Sequence, residues 1–202
     1  MNQHIDSWKN SSSAFEQQLS RNIQELNGQF PPHWIHFVNY LKNNSVKRVV
    51  DVGCGAGAYY PITTQMGFEY IGYDYSQHAV DLATKTWGGN FICKNYKELM
   101  YQDIREGDVV VANDLCDVLP NGDECLRHLL QIGFDNLLIQ RIKTTTTPSH
   151  SVEYEAYGIM TYEFYHNSQQ LAKDIEQNSY AVTYHRLYDN VFDLEITKTG
   201  AR

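Results

Sequence analysis

Val49-Val50-Asp51-Val52-Gly53-Cys54-Gly55-Ala56-Gly57 is the stretch on which the reading of this chain turns. Its first half, which begins at Val46, is a β-branched run suited to a strand buried on both faces. Its second half puts a glycine at every second position, so the backbone can bend sharply and a ligand can approach without meeting a Cβ. A helix is predicted from about Tyr60 to Met66, so strand, turn and helix form the opening of a βα unit. The next strand, Tyr70-Ile71-Gly72-Tyr73, ends at Asp74, where dinucleotide-type folds keep an acid for ribose hydroxyls. A bare Gly-x-Gly-x-Gly is equally compatible with an empty turn. An acid on the neighbouring strand turns it into a candidate cleft.

Outward from this unit the alternation continues. Ser76 is a good N-cap for a helix running to about Thr86, and Gly88-Gly89 ends it. Phe91-Ile92-Cys93, Asp108 to Ala112 and Asn136 to Ile142 read as further strands, with a helix from Glu124 to Ile132 before the last. Strands that alternate with helices imply parallel pairing through right-handed crossovers. Upstream, Phe15, Leu19, Ile23 and Leu26 recur at helical steps and suggest a lid or docking helix over Asn10 to Asn27. Pro31-Pro32 opens a second helix with Trp34, Ile35, Val38 and Leu41 on one stripe. Downstream, Lys143 to Ser149 looks like a linker, Tyr154 to His166 is aromatic-rich, and Ser168 to Gln177 suits a helix. Tyr180, Val182 and Tyr184, then Phe192, Leu194 and Ile196 beyond Asp189-Asn190, alternate as a β-hairpin. The expected fold is α/β: a doubly wound, mostly parallel seven-stranded sheet with helices on both faces, an antiparallel C-terminal hairpin and an N-terminal helical cover.

The 202 residues suffice for one three-layer core but not for two ordinary domains. Residues 1–45 are read as the cover and 46–202 as the sheet domain, together one compact unit. The formal net charge of −8 disfavours nucleic acid, because phosphate backbones are gripped by many Lys and Arg on one face. No apolar run reaches the roughly 20 residues that span a bilayer, and Met1 to Ser13 lacks the apolar core of a secretory signal, so a cytoplasmic protein is expected. Cys54, Cys93, Cys116 and Cys125 form no CxxC pair, so neither a disulfide framework nor a metal site is expected. Nothing in the sequence speaks to oligomeric state.

The acid followed by glycines, Asp51-Val52-Gly53-Cys54-Gly55-Ala56-Gly57, with Asp74 on the next strand, resembles the class I, Rossmann-like S-adenosylmethionine-dependent methyltransferases. By element order the resemblance spans roughly Val46 to Ile142. It implies S-adenosylmethionine as cofactor and a small-molecule acceptor with an oxygen or nitrogen nucleophile. It also implies that Gly53, Cys54, Gly55 and Gly57 border the methionine and ribose portions, with Asp51 steadying the loop and the amino group. Asp74 would hold the ribose hydroxyls, Tyr75 would lie against adenine, and Asn95 would meet the adenine edge, where an amide can both accept and donate. Asn113 begins the loop that follows the fourth strand, where the cofactor and substrate meet. That loop, Asn113-Asp114-Leu115-Cys116, lacks the Pro-Pro-aromatic tetrad of enzymes that methylate exocyclic amines of bases.

Two other readings stay open on the sequence. Gly53 to Ala58 also satisfies the GxGxxA of NAD-dependent oxidoreductases, and an intact cleft is compatible with a non-catalytic module that binds S-adenosylmethionine or S-adenosylhomocysteine. Methyl transfer from a sulfonium needs alignment and exclusion of water more than a fixed triad. The candidates for the chemistry are therefore positional. Asp114 and Asp117 follow strand four, Arg141 near the end of strand five can clamp an anionic group, and His166 sits in the aromatic segment. Each has a plain alternative: loop acid, helix cap, surface arginine, structural histidine. Tyr154 and Tyr157 are expected to wall the acceptor pocket.

Overall fold

Strand β1 (Arg48–Val52) is buried at every position, as a β-branched run in the middle of a sheet must be. The computed structural model describes residues 6–200, so the first five and last two residues of the expected segments lie outside the described residues. β1 pairs in parallel with β2 (Glu69–Asp74) on one side and β4 (Asp108–Asn113) on the other. Beyond β2 lies β3 (Phe91–Cys93), and beyond β4 lies β5 (Asn136–Thr145), both again parallel. Successive residues of a strand face opposite ways, and the two faces collect separate cores. Val50, Val52, Val110, Leu137 and Ile139 meet Leu126, Leu129 and Leu130 of α5 (Gly122–Ile132) and Leu171 and Ile175 of α6 (Ser168–Gln177). Val49, Val109, Val111 and Leu138 meet α2 (Pro32–Asn43), α3 (Tyr59–Gln65) and α4 (Gln77–Trp87) on the other side. This is the mostly parallel, doubly wound arrangement expected, with helices on both faces.

Among the described residues the sheet has nine strands rather than seven. β5 does not stop at Ile142 but runs through the expected linker to Thr145, and the aromatic-rich segment is a hairpin, β6 (His150–Ala156) and β7 (Ile159–Asn167). β7 pairs in parallel with the extension of β5, at Lys143 to Thr145. β6 is an edge strand whose first six residues are exposed, and its short alternation of Val152, Tyr154 and Ala156 with Ser151, Glu153 and Glu155 is masked by the aromatic composition of the segment. Its turn was legible in principle, since Tyr157 and Gly158 both have positive φ, 52° and 73°, as a two-residue hairpin turn requires. The expected C-terminal hairpin is present as β8 (Tyr180–Arg186) and β9 (Val191–Lys198), with β9 antiparallel to β5.

Two helical stripes differ from expectation. In α2 the buried face is His33, Trp34, Phe37, Tyr40 and Leu41, while Ile35 is exposed, because the face is set by where the sheet lies and not by apolarity alone. In α1 (Ser12–Asn27), capped by the Ser11 hydroxyl accepting from the Ala14 N–H, the buried residues are Ala14, Phe15 and Asn22, and Ile23 is exposed. α1 lies over the end of the sheet where the glycine turn opens, which makes its polar face an inner one. Among the described residues no helix is long and apolar enough to cross a membrane.

At the opposite end of the central strands Arg48 and Asp108 form a buried bidentate pair, with Nε to Oδ1 at 3.0 Å and Nη2 to Oδ2 at 2.5 Å. They are paired in register across β1 and β4, so the bridge staples the two central strands where they start. Arg48→Met keeps the stem but leaves a carboxylate buried without its cation. It is expected to lower unfolding free energy by about 3–5 kcal/mol, read as a shifted midpoint in urea at unchanged slope.

Candidate functional site

The glycine turn is held by the strand beside it. Gly53 N–H and Cys54 N–H both donate to the Tyr73 carbonyl, at 2.8 and 3.0 Å, and Gly55 N–H donates to Asp74 Oδ2 at 2.9 Å. The other oxygen, Oδ1, accepts from Ser76 N–H at 2.9 Å. Asp74 is buried, and burial lifts its pKa to about 6 against the pull of these backbone donors. Asp51, on the strand before the turn, accepts from the Tyr70 hydroxyl at 2.7 Å and is pushed up to about 7, first by burial and also by the nearby Asp74. Two carboxyl groups thus stand close together in a dry place, short of positive charge.

Both open onto one cavity of about 760 Å³, within the roughly 300–1,000 Å³ typical of small-molecule sites. Of the residues expected at the cofactor, Asp51, Gly53, Cys54, Gly55, Asp74, Tyr75, Asn95 and Asn113 line this cavity. Gly57 does not. A Cβ there would meet the rings of Phe91 at 2.9 Å and Trp87 at 3.0 Å, so its glycine serves close packing of turn against sheet. Asn95 Oδ1 accepts from Lys97 N–H at 3.0 Å, capping a short turn, which leaves its amide N–H groups for a ligand. Asn113 Oδ1 is buried and has no hydrogen-bond partner among the described residues, so it wants a donor.

Asp114 and Arg141 are brought together as an ion pair on the cavity wall. Both have left-handed backbones, φ 54° and 65°, uncommon for residues with side chains and a mark of positions held by their surroundings. Arg141 sits where the register of β5 against β9 shifts between Ile139 and Ile142, and its N–H donates to the buried Asp193 at 3.0 Å. Next to the pair is His33, whose pKa is lowered to about 3 by burial and by Arg141 and Arg21, so its imidazole is neutral. Tyr154, Tyr157 and Tyr162 from the β6–β7 hairpin complete this end, with Lys143 paired to Glu163.

Asp117 and His166 do not line the cavity. They form a buried cluster behind it, in which His166 Nδ1 bonds Asp123 at 2.8 Å and Nε2 stands 3.7 Å from Asp117. Asp117 Oδ2 accepts the Lys143 N–H at 3.1 Å, so the cluster fixes a cavity-lining residue from outside.

The cavity is roofed by the N-terminal segment. Gln18 of α1 accepts from Ala56 N–H at 2.9 Å, and its side chain lies 2.5 Å from where a Cβ on Gly55 would stand, so only glycine leaves room for it. Trp8 donates to Thr161 at 2.9 Å, and Arg21 donates to the Tyr157 hydroxyl at 3.1 Å. Lys9 bridges to Tyr75 through its N–H and to Ser76 through its carbonyl. Reading the sequence found a lid helix but neither Gln18 nor His33. Polar residues on an amphipathic helix look alike until it is known what lies beneath them.

A family model described as a methyltransferase domain matches residues 26–195. A ubiquinone biosynthesis O-methyltransferase from Haemophilus ducreyi is 26% identical over 145 residues, covering 67% of this chain; the chain spans 58% of that protein's length. Among solved structures, magnesium protoporphyrin IX methyltransferase from Synechocystis with bound S-adenosylmethionine superposes with TM-score 0.59 at 18% identity, over 81% of this chain and 77% of that one. The CcbJ methyltransferase of Streptomyces caelestis gives 0.61 at 16%, over 85% and 91%. At these identities the two structures share the fold.

The His166 cluster has a measurable signature. Burial by itself lowers an imidazole pKa, but the Asp117 and Asp123 carboxylates outweigh it and raise His166 to about 9. A value raised above the unfolded one, about 6.5, contributes stability that is complete below the unfolded pKa and lost as pH climbs through about 9. Asp117, lifted to about 6 by burial, titrates below this window. The thermal midpoint is expected to fall between about pH 7 and pH 9.5, and His166→Gln to flatten that slope. Gly57→Ala, strained at φ 76°, is expected to lower the thermal midpoint at every pH.

Proposed function

The chain belongs to the methyltransferase-domain family, and from that premise we propose that it transfers a methyl group from S-adenosylmethionine to an oxygen or nitrogen nucleophile of a small molecule. One observation carries this reading: the glycine turn and the Asp74 carboxylate share a single roofed cleft, joined by the Gly55 N–H. Asp74 still has lone pairs free for two ribose hydroxyls beyond its backbone donors. Asp51, poorly compensated and near the same cleft, is the acid for the cationic end of the cofactor, whose arrival favours the ionised form. Asn113 Oδ1 supplies an acceptor for the same amino group, and Gly53, Cys54 and Gly55 present bare backbone to the methionine portion. Tyr75 and the amide N–H groups of Asn95 face the adenine. Gly57 acts by packing and not by contact.

In the transfer, the acceptor's lone pair forms a bond to the methyl carbon as the carbon–sulfur bond breaks toward sulfur, and the acceptor's proton leaves to solvent or a base. What the chain contributes is position and dryness. The α1 roof excludes water, and the Asp114–Arg141 pair and the three hairpin tyrosines orient the acceptor. Asp114 is a positioning group here, since Arg141 already engages its charge. Asp117 and His166 act at one remove, by fixing Lys143. An aromatic wall and a net charge of −8 suit a neutral or cationic metabolite. That the acceptor is a small molecule is in line with relatives whose names refer to ubiquinone biosynthesis and magnesium protoporphyrin.

Calorimetry with S-adenosylhomocysteine and NAD side by side tests the premise: the former is expected to bind and the latter not. Tight binding of NAD alone would end the proposal, and thioether binding with no methylated product across a broad acceptor panel would reduce the protein to a binding module. Asp74→Ala is expected to weaken S-adenosylhomocysteine by about 1–3 kcal/mol. In the parent, affinity is expected to decline as pH falls through about 6, where Asp74 protonates.

A further inference from the structure

We propose that His36, His185 and Glu195 form a transition-metal site of the zinc type, outside the cavity, that clips α2 to the C-terminal hairpin. His36 comes from α2, His185 from β8 and Glu195 from β9, and their donor atoms all lie within 4.8 Å of one another. Both imidazoles aim at the same oxygen: His36 Nε2 stands 2.9 Å from Glu195 Oε1, and His185 Nε2 stands 3.0 Å from it. Ligand bonds to zinc of about 2.0–2.1 Å put neighbouring donors in a tetrahedral shell roughly 3.3 Å apart, so a few tenths of an ångström of side-chain motion admits the ion.

Two further features point to a ligand. His185 Nε2 is shielded from solvent and makes no hydrogen bond among the described residues despite its proximity to Glu195. His36 Nδ1 is engaged at 2.7 Å by Asp193, a fully buried carboxylate that also accepts from Gln140 Nε2 and Arg141 N–H. A metal-binding imidazole is oriented in this way by a carboxylate on its second nitrogen, which presents the first to the ion. Without metal, a His36 that donates from both nitrogens is an imidazolium; the ion replaces the Nε2 proton, which passes to solvent. Two imidazoles and one carboxylate suit zinc and its neighbours, whereas magnesium and calcium require oxygen ligands. Three protein ligands leave the fourth position of a tetrahedral shell to water. The cysteines gave no hint of this, because the ligands are imidazoles and a carboxylate from positions 36, 185 and 195, which no sequence spacing connects.

The test uses untagged full-length protein stripped with EDTA and titrated with zinc chloride and, separately, magnesium chloride. One equivalent of zinc is expected to bind and raise the thermal midpoint, magnesium to do neither, and cobalt to give a visible ligand-field band. His185→Ala, at a partly exposed position, is expected to weaken zinc at least tenfold and to abolish the band, with circular dichroism unchanged. Glu195→Gln is expected to behave alike. Absence of stoichiometric zinc in the parent overturns the proposal, and so does parental zinc affinity in His185→Ala, which would put the ion on other histidines or on Cys93.

Discussion

Asp74 is held from two sides, by the N–H of Gly55 and the N–H of Ser76, and the functional end of this protein depends on that grip. A carboxylate that accepts two backbone donors can be buried at tolerable cost. By accepting them it fixes the glycine turn that ends β1 against the start of α4, which follows β2. The cleft is therefore built before any ligand arrives. Its shape follows from one acid and a turn without side chains, and its remaining acceptor capacity faces inward.

The second end of the cleft is organised by Asp193. This fully buried acid takes hydrogen bonds from Gln140 and from the backbone of Arg141, and it orients His36 on α2. Through Arg141 it supports the ion pair with Asp114, and through His36 it reaches the cluster on the C-terminal hairpin. A residue from the last strand thus sets the backbone of β5 at the point where that strand departs from register. The left-handed conformations of Arg141 and Asp114 are held by these contacts, as strained residues at ligand-facing positions must be.

The roof joins the two ends. α1 touches the glycine turn through Gln18 and the tip of the β6–β7 hairpin through Arg21, so the helix and the hairpin close over the same space from opposite directions. Beside these polar contacts the same segment buries Ala14 and Phe15 and packs Trp8 against Phe15 and Tyr157, so the roof is anchored by apolar as well as polar contacts. The body beneath it has two apolar cores and a buried ion pair between its central strands.

The sequence by itself determined whatever depends on local period and backbone chemistry. The apolar runs of β1, β4 and β5, the glycines that admit positive φ, the acid at the end of β2 and the alternation of the last hairpin were all legible, because each is written in nearby residues of the chain. Only the tertiary structure decided the rest. It turned the aromatic stretch into an edge hairpin whose inner strand buries Tyr162 and Phe164, moved the buried face of α2 from Ile35 to Phe37, and withdrew Gly57 from the cavity. It also set His166 and Asp117 behind the wall, paired Asp114 with Arg141, and joined His36 to Asp193 and Glu195, 157 and 159 positions away. These outcomes depend on distances between segments far apart in the chain, and the period of a single segment carries no information about what it will face.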